Sequence, residues 1–466
     1  MIGIILAAGK GTRMKSKLPK ALHALCGKPM TRWIVDACLP VLSQSKGKGA
    51  GIQDCIVVVG MGAEQVMAGL GDDVRYAVQD QQFGTGDACK RAVALLGDED
   101  VDALVLPGDT PLVTADILKK LSDEHASSGA PATVLTTILD DGGNYGRVIR
   151  GANNLVTGIV EAKDASPQQR AIREINAAIY CFKLPLLRKY LDRITPINAQ
   201  NEYYLTDVIG LMASDGLKVG AVISEDPDIV EGINDRAQLA NLTAIIRSKI
   251  NRRLMLDGVT LIDPKSTYID YDIKIGADTV IHPNTVIEKG SVIGEGCIIG
   301  PSTRLVNVRV ADNVTILSSN VVDSEIGDGS NVGPFANIRP GCRVGKNVRV
   351  GDFVEAKNAQ IGDSVSMAHL SYVGDAVVGE HANIGAGTIT CNYDGFEKHR
   401  TTIGRNAFVG SNVTIIAPVT IGDGALVAAG STITEDVPGD ALAIGRSAQT
   451  VKEGWAKKRR ESKGQG

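Results

Sequence analysis

Ile275-Gly276-Ala277-Asp278-Thr279-Val280-Ile281-His282-Pro283-Asn284-Thr285-Val286-Ile287-Glu288-Lys289-Gly290-Ser291-Val292-Ile293 places an isoleucine at every sixth position. Ile299 and Leu305 continue the series, Ile326, Val332, Ile338, Val344 and Val350 resume it, and Ile403, Val409, Ile415, Ile421, Val427 and Ile433 form a third run. A half-buried strand alternates every second residue and a helix repeats every 3.6, so neither explains a period of six. Four residues after the aliphatic position stands a small or apolar residue: Thr279, Thr285, Ser291, Cys297 and Thr303, later Ala336, Cys342, Val348 and Val354. Two inward positions in six describe one flat side of a coil. A Gly directly after the aliphatic residue, as in Ile275-Gly276 or Val409-Gly410, suits a sharp turn free of a Cβ clash. The pattern predicts a parallel β-helix of stacked hexapeptides, with Cys297 and Cys342 as core filler. The period breaks at His369–Tyr372 and over Thr390–Thr402, and such breaks in a solenoid become loops on one face, where ligands bind.

Upstream the pattern is α/β: short β-branched runs at Gly3–Leu6, Ile56–Val59 and Ala103–Leu106 alternate with helix-length segments. Ser43–Gly51, rich in Ser, Gly and Lys, reads as a mobile loop. Leu239, Leu242, Ile245, Ile246, Ile250 and Leu254 share one helical face. The expected division is therefore an α/β domain over 1–234, a linker helix over 235–256 and a β-helix with a C-terminal arm over 257–466.

The 466 residues suffice for such domains, and the composition agrees with them: 44% apolar but only 4% aromatic, with 53 glycines. A net charge of −4 gives no general pull toward nucleic acid or an anionic membrane. No run approaches the ~20 apolar residues of a membrane span, and Met-Ile-Gly-Ile-Ile-Leu at the start lacks the basic region and cleavage site of a leader, so the expected location is the cytoplasm. The eight cysteines are scattered without a CxxC pair, which argues for reduced thiols rather than zinc or disulfides.

After the first strand comes Leu6-Ala7-Ala8-Gly9-Lys10-Gly11-Thr12-Arg13-Met14, then Lys17-Leu18-Pro19-Lys20. Small residues let backbone N–H groups approach a phosphate, and Arg13 and Lys20 add fixed positive charge. The stretch is neither a Walker loop nor a full GxGxxG, since Met14 takes the last position. Leu104-Val105-Leu106-Pro107-Gly108-Asp109 sets a carboxylate just past the end of a strand, where open α/β sheets bind ligands, and Asp109 is a candidate for Mg²⁺.

Together with Gln79 before Phe83-Gly84-Thr85-Gly86, Asn144-Tyr145-Gly146-Arg147, Ile159-Val160-Glu161-Ala162-Lys163-Asp164, Glu174-Ile175-Asn176, Asn201-Glu202-Tyr203-Tyr204-Leu205-Thr206-Asp207 and Glu231-Gly232-Ile233-Asn234, these motifs resemble the sugar nucleotidyltransferases. With the hexapeptides, residues 1 to about 455 resemble the bifunctional bacterial N-acetylglucosamine-1-phosphate uridyltransferases joined to a glucosamine-1-phosphate acetyltransferase. The resemblance implies a Rossmann-like nucleotidyltransferase domain, a left-handed β-helix, a homotrimer with acetyl sites between subunits, and UDP-N-acetylglucosamine as a precursor of peptidoglycan and lipopolysaccharide. It implies that Leu6, Ala7, Ala8, Gly9, Gln79, Gly84 and Thr85 contact the uridine nucleotide and that Arg13 and Lys20 hold phosphates. Gly146, Glu161 and Asn176 would bind the sugar, and Asp109 and Asn234 the Mg²⁺. Pro107 stands where the family often has Tyr. In the second half it makes His369 the general base, gives Arg339, Lys357, Tyr372 and Asn383 to the amino-sugar phosphate, sets Asn392 and Tyr393 beside the acetyl group, and gives Ala386, Ser411, Ala429 and Arg446 to acetyl-CoA. In the basic tail, Trp455 and its neighbouring cations would lie near that acetyl site, against the plainer reading of a solvated, frayed end.

The chemistry fits these residue types. Attack of a sugar phosphate on UTP brings anions together, which calls for cations rather than a base. An amine attacking a thioester must lose a proton, and an imidazole, with a reference pKa of about 6.5, can accept it. Two rivals compete: a nucleotidyltransferase whose β-helix only regulates or oligomerises it, against which His369 and the Asn392-Tyr393 loop argue, and a non-catalytic scaffold, against which Asp109, Asn234, Arg13 and Lys20 argue.

Overall fold

A computed structural model describes residues 1–44 and 54–464. The chain divides into two compact units, one ending at Ile246 and the other starting at Arg247, so the division falls within the helix Arg236–Leu256. Leu242, Ile246, Ile250 and Leu254 of that helix are buried, whereas Leu239 and Ile245 are only half-buried.

Besides the short hairpin of Ala24–Leu25 and Lys28–Pro29, the strands of the first unit are β1 (Ile2–Leu6), β2 (Cys55–Val59), β3 (Arg75–Val78), β4 (Asp102–Pro107), β5 (Ala132–Ile138), β6 (Arg147–Arg150), β7 (Val156–Val160), β8 (Glu174–Lys183) and β9 (Gly220–Ser224). They form one sheet in the order β9-β5-β8-β4-β1-β2-β3, with β6 and β7 as a hairpin beside β8. Only β8 runs against its neighbours along this path. Strands covered on both faces read as unbroken apolar runs, and Cys-Ile-Val-Val-Val of β2 is wholly buried. Ile4, Ile56, Val58 and Val105 face one layer with Ala88, Cys89, Leu187 and Val208. Ile5, Val57, Leu104 and Leu106 face the other with Ile34, Cys38, Leu118 and Leu121. The chain lays β2 and β3 to one side of β1 and returns with β4 to the other, a reversal that leaves a crevice beyond the carboxyl ends of β1 and β4. Of the loop expected over Ser43–Gly51, Ser43 and Gln44 instead end the helix Met30–Gln44, and the rest lies outside the described residues.

The second unit is the parallel β-helix. One wall is an 11-stranded sheet from Thr260–Leu261 to Leu442–Ala443, and the strands of the other two walls join in a 17-stranded sheet. Three hexapeptides make a coil: Ile275 pairs with Ile293, Ile281 with Ile299 and Ile287 with Leu305. Thr279, Thr285, Cys297, Thr303, Ala336, Cys342, Val348 and Val354 are buried as the period predicts. Inward hydroxyls bond to the neighbouring coil, as where Thr279 Oγ1 donates to Gly294 O at 2.8 Å and accepts from Cys297 N at 3.0 Å, whereas the buried Thr401 Oγ1 has no partner.

The Gly that often follows the aliphatic residue is, as expected, where a Cβ would clash: at Gly276 it would sit 2.6 Å from the backbone of Glu295 on the next coil. Among these glycines Gly300 (101°) and Gly333 (98°) have a positive φ, and further positive angles fall at Asp278 and Asn284 (both 60°) and Gly290 (84°), where Asn, Asp and Gly tolerate them. Two expectations, the break at His369–Tyr372 and the frayed tail, need revision. His369–Tyr372 is no interruption. Asp352 pairs with His369 and Glu355 with Tyr372, so the coil closes in register. The tail is not frayed within the described residues; Trp455–Ser462 is an exposed helix, with Arg459 over the Trp455 ring at 5.3 Å. No helix among the described residues is long and apolar enough to cross a membrane.

Candidate functional site

Leu6 and Pro107 pair at the ends of β1 and β4, and Gly108 N donates to Leu6 O at 2.8 Å. A Cβ at Gly108 would lie 2.7 Å from Ala7 Cβ and 2.9 Å from Leu6 O, so only glycine lets the two turns run side by side. Thr31 Oγ1 fixes Gly108 O at 2.9 Å. Asp109 follows directly. Its Oδ2 accepts from Lys20 Nζ at 2.6 Å, Lys20 Nζ also donates to Asn234 Oδ1 at 3.0 Å, and Arg13 Nη2 reaches that same oxygen at 2.9 Å. A backbone bond of 3.0 Å from Ile233 N to Asp109 O ties the segments together.

These groups line one wall of a cavity of about 510 Å³, a size suited to a small molecule. Leu6, Ala7, Ala8 and Gly9 line it from the first turn, Gln79, Gly84 and Thr85 from beyond β3, and Glu161 and Asn176 from the hairpin side. Gly146 stands behind them, where a Cβ would lie 3.5 Å from Glu161 Oε2 and 3.6 Å from Asn176 Cβ. Pro107 also lines the cavity but carries no donor. Strand β8 shifts register between Asn176 and Tyr180, and the shift turns Asn176 inward: its Nδ2 donates to the Tyr180 hydroxyl at 2.7 Å and its Oδ1 accepts from Ala178 N at 3.0 Å. Burial pushes the Glu161 carboxyl above its ordinary range, against the opposing hydrogen bond from Thr206 Oγ1 at 3.1 Å.

The Asp109 and Asn234 oxygens converge on one ammonium, and a carboxylate beside an amide oxygen suits Mg²⁺. That ion takes one or two protein oxygens and completes its shell with water and substrate phosphate. No group of three His, Cys, Asp or Glu side chains among the described residues would hold a metal alone. The donor set fits a metal that arrives with a phosphate ligand.

On the β-helix, His369 Nδ1 and Asp352 Oδ1 lie 2.7 Å apart, and this bond holds the Asp352 carboxyl below its usual range. The His369 side chain is 57% exposed. Ile384, Val409 and Val427 pair in succession with Met367 below them. His369, Ala386, Ser411 and Ala429, each two residues further on, therefore occupy one corner column, and Arg446 tops it with its Cδ 3.7 Å from where a Gly430 Cβ would be. Asn383 pairs with Ser366 on the wall before that corner. On the wall after it Arg339, Lys357 and Tyr372 rise on successive coils, Arg339 holding Glu355 at 2.7 Å. Asn392 is buried and donates to Asp375, so its amide is already engaged. Tyr393 is exposed, its hydroxyl on Gly395 O at 2.6 Å, in a loop fastened by Asp394, whose carboxyl the Glu397 N–H, His399 and the Phe396 N–H hold well below the usual range.

Three contributors escaped the sequence reading. Asp352 becomes visible only once the coil length puts it opposite His369. Thr206, within the Asn201–Asp207 motif, caps Glu161. Tyr180 reaches Asn176 only because β8 bulges between them.

Residues 3–171 match the model of the MobA-like NTP transferase domain, and 272–307, 323–356 and 400–435 match the bacterial transferase hexapeptide of six repeats. The chain is 46% identical over 462 residues to the "Bifunctional protein GlmU" of Trichlorobacter lovleyi, covering 98% of both chains. It is 49% identical to the protein of the same name from Brevibacillus brevis over 98% of this chain and 97% of that one, and 49% identical to the one from Geobacillus thermodenitrificans over 99% and 98%.

Proposed function

The chain belongs to the bifunctional GlmU family and makes UDP-N-acetylglucosamine as an acetyltransferase and a uridyltransferase in one polypeptide; on that premise we propose which residues perform each step. The uridyl site is the crevice beyond β1 and β4, and the observation that carries this reading is the convergence of Lys20, Arg13, Asp109 and Asn234 there. An oxygen of N-acetylglucosamine-1-phosphate bonds to the α-phosphorus of UTP as the bond to pyrophosphate breaks. The attacking phosphate is already deprotonated, so the site needs positive charge and alignment. Lys20 and Arg13 oppose that charge, the small residues Ala7 to Gly9 admit the nucleotide to the backbone, and Gly146, Glu161 and Asn176 hold the sugar. Asp109 and Asn234 would hold Mg²⁺, which supplies further neutralisation of the phosphates when bound.

Acetyl transfer uses the corner column. The glucosamine nitrogen bonds to the thioester carbonyl carbon, the carbon–sulfur bond breaks to release CoA, and His369 Nε2 takes the amine proton. Asp352 occupies Nδ1 and thereby leaves Nε2 as the basic nitrogen. Arg339, Lys357, Tyr372 and Asn383 receive the sugar phosphate. Ala386, Ser411, Ala429 and Arg446 receive acetyl-CoA, with Tyr393 beside the acetyl group.

Ser411, Ala429 and Arg446 are exposed on a single chain, which supports a homotrimer whose neighbouring subunit covers them. The protein works in the cytoplasm on small molecules, without nucleic acid or membrane, and its functional division runs 1–234, 235–256 and 257–466. Purified protein given glucosamine-1-phosphate, acetyl-CoA, UTP and Mg²⁺ should release CoA and pyrophosphate and accumulate UDP-N-acetylglucosamine. Release of pyrophosphate from UTP and N-acetylglucosamine-1-phosphate without any CoA release from the first two substrates would leave the β-helix a mere scaffold.

A further inference from the structure

Gln79 stands just past β3, its backbone N on Val59 O at 2.8 Å and its side chain 3% exposed on the cavity wall. Its Nε2 donates to Gly84 O at 3.1 Å and to Asp87 Oδ2 at 2.7 Å, which uses both amide hydrogens. Each partner can only accept. The first is a backbone carbonyl, and the second is a carboxylate whose other oxygen lies 3.5 Å from Arg91 Nε. A reversed amide would press its own oxygen against two acceptors, so the orientation is fixed by chemistry, and Oε1 is left as the group Gln79 offers to a ligand.

The carbonyl of Gly84 is equally constrained. Gly84 has φ 110°, and a Cβ there would fall 2.6 Å from Tyr203 O. Backbone bonds of 2.7 Å from Tyr203 N to Phe83 O and from Gly86 N to Tyr203 O pin the turn on either side.

We infer that Asp87 is a positioning residue that sets the nucleobase preference by holding Gln79 as an acceptor, so that the cavity takes a pyrimidine whose edge offers a ring N–H. Uracil presents N3–H to Oε1, whereas cytosine presents an N3 lone pair, which leaves two acceptors facing each other. This rests on the reading of the cavity as the UTP site. A site built around one hydrogen bond to its substrate can reject an analogue lacking that bond by ~10⁴-fold.

The test compares kcat/KM for UTP and CTP with N-acetylglucosamine-1-phosphate in the full-length wild type, Asp87→Asn and Asp87→Ala, using the calorimetric transition of the unit that carries Asp87 as the check of folding. Asn can offer Gln79 either a donor or an acceptor and so permits the turned amide. The UTP:CTP ratio should fall about tenfold in Asp87→Asn, the scale of one charge-assisted hydrogen bond. It should fall by a smaller factor in Asp87→Ala, and either variant suffices if the other does not fold. A purely structural role for Asp87 would lower both rates together and leave the ratio alone; a ratio within twofold of wild type in an active variant overturns the inference. Failure of wild type to make a sugar nucleotide from any nucleoside triphosphate would instead remove the reading on which the inference stands, and the inference with it.

Discussion

Gly108→Ala should close the uridyl site by moving backbone. The added Cβ would lie 2.7 Å from Ala7 Cβ, 2.8 Å from Ala7 Cα and 2.9 Å from Leu6 O, where ordinary contact begins at 3.4 Å. None of these atoms can rotate aside, since two are main chain and the third is a Cβ. Relief must come from parting the ends of β1 and β4, at the expense of the 2.8 Å bond from Gly108 N to Leu6 O. Overpacking of this kind costs ~1–3 kcal/mol, and at ~2–4 °C per kcal/mol for a unit of this size the first transition in calorimetry should drop by roughly 2–12 °C. The functional loss should be larger than the stability loss suggests, because Leu6–Gly9 and Asp109 flank the clash and a displacement of about 1 Å can cost ~10²-fold in rate. Pyrophosphate release should fall by that order while CoA release stays within about twofold of wild type. Wild-type pyrophosphate kinetics in a folded Gly108→Ala protein would refute the proposed closeness of the two turns and its role.

Further outcomes follow from the same geometry. His369→Ala should lower acetyl transfer ~10²- to 10⁴-fold and spare uridylyl transfer; unchanged CoA release at pH 7 returns His369 to the solenoid wall. Asp352→Asn should also slow acetyl transfer and displace its pH profile, because the amide no longer enforces Nδ1–H; an unmoved profile speaks against the pairing. A fragment ending near residue 255 should keep uridylyl transfer, and a folded but inactive fragment would contradict the proposed boundaries. Asp102, held at about 2 from an ordinary 3.8 by His125 and then Lys183, has a depressed folded pKa. Its contribution is present above about pH 4 and lost as pH falls toward 2. Asp102→Asn should therefore be less stable than wild type at pH 7 with the gap closing in that window, and a gap independent of pH in urea melts would exclude this linkage.

The β-helix was legible because its signal is local and redundant: a residue such as Thr285 is inward wherever the count of six lands, whatever lies far away. The α/β half was legible through its unbroken apolar strands and through Gly108 and Asp109 at a strand end. What escaped depends on registers that no local pattern states. Lys20 meets Asp109 across 89 residues and Asn234 across 214, and only the strand order of the sheet brings those turns together. His369–Tyr372 is no break: the chain drops one residue earlier, between Ala356 and Ile361, and closes its coil with Asp352 opposite His369, 17 residues away. Asn392 sits in a loop long recognisable as an insertion, but its engagement with Asp375 follows from the coil beneath it.

Two sites that share no residue should complement each other when each is disabled in a different molecule. Glucosamine-1-phosphate, acetyl-CoA, UTP and Mg²⁺ supplied to Asp109→Asn alone should release CoA and stop at N-acetylglucosamine-1-phosphate, because removing the carboxylate weakens the hold on the metal and its phosphates. The same mixture supplied to His369→Ala alone should yield little of either product. The account predicts that the two variants mixed together restore UDP-N-acetylglucosamine synthesis, measured as product by chromatography. Absence of product from the mixture of two folded variants, or full product from either variant alone, would contradict it.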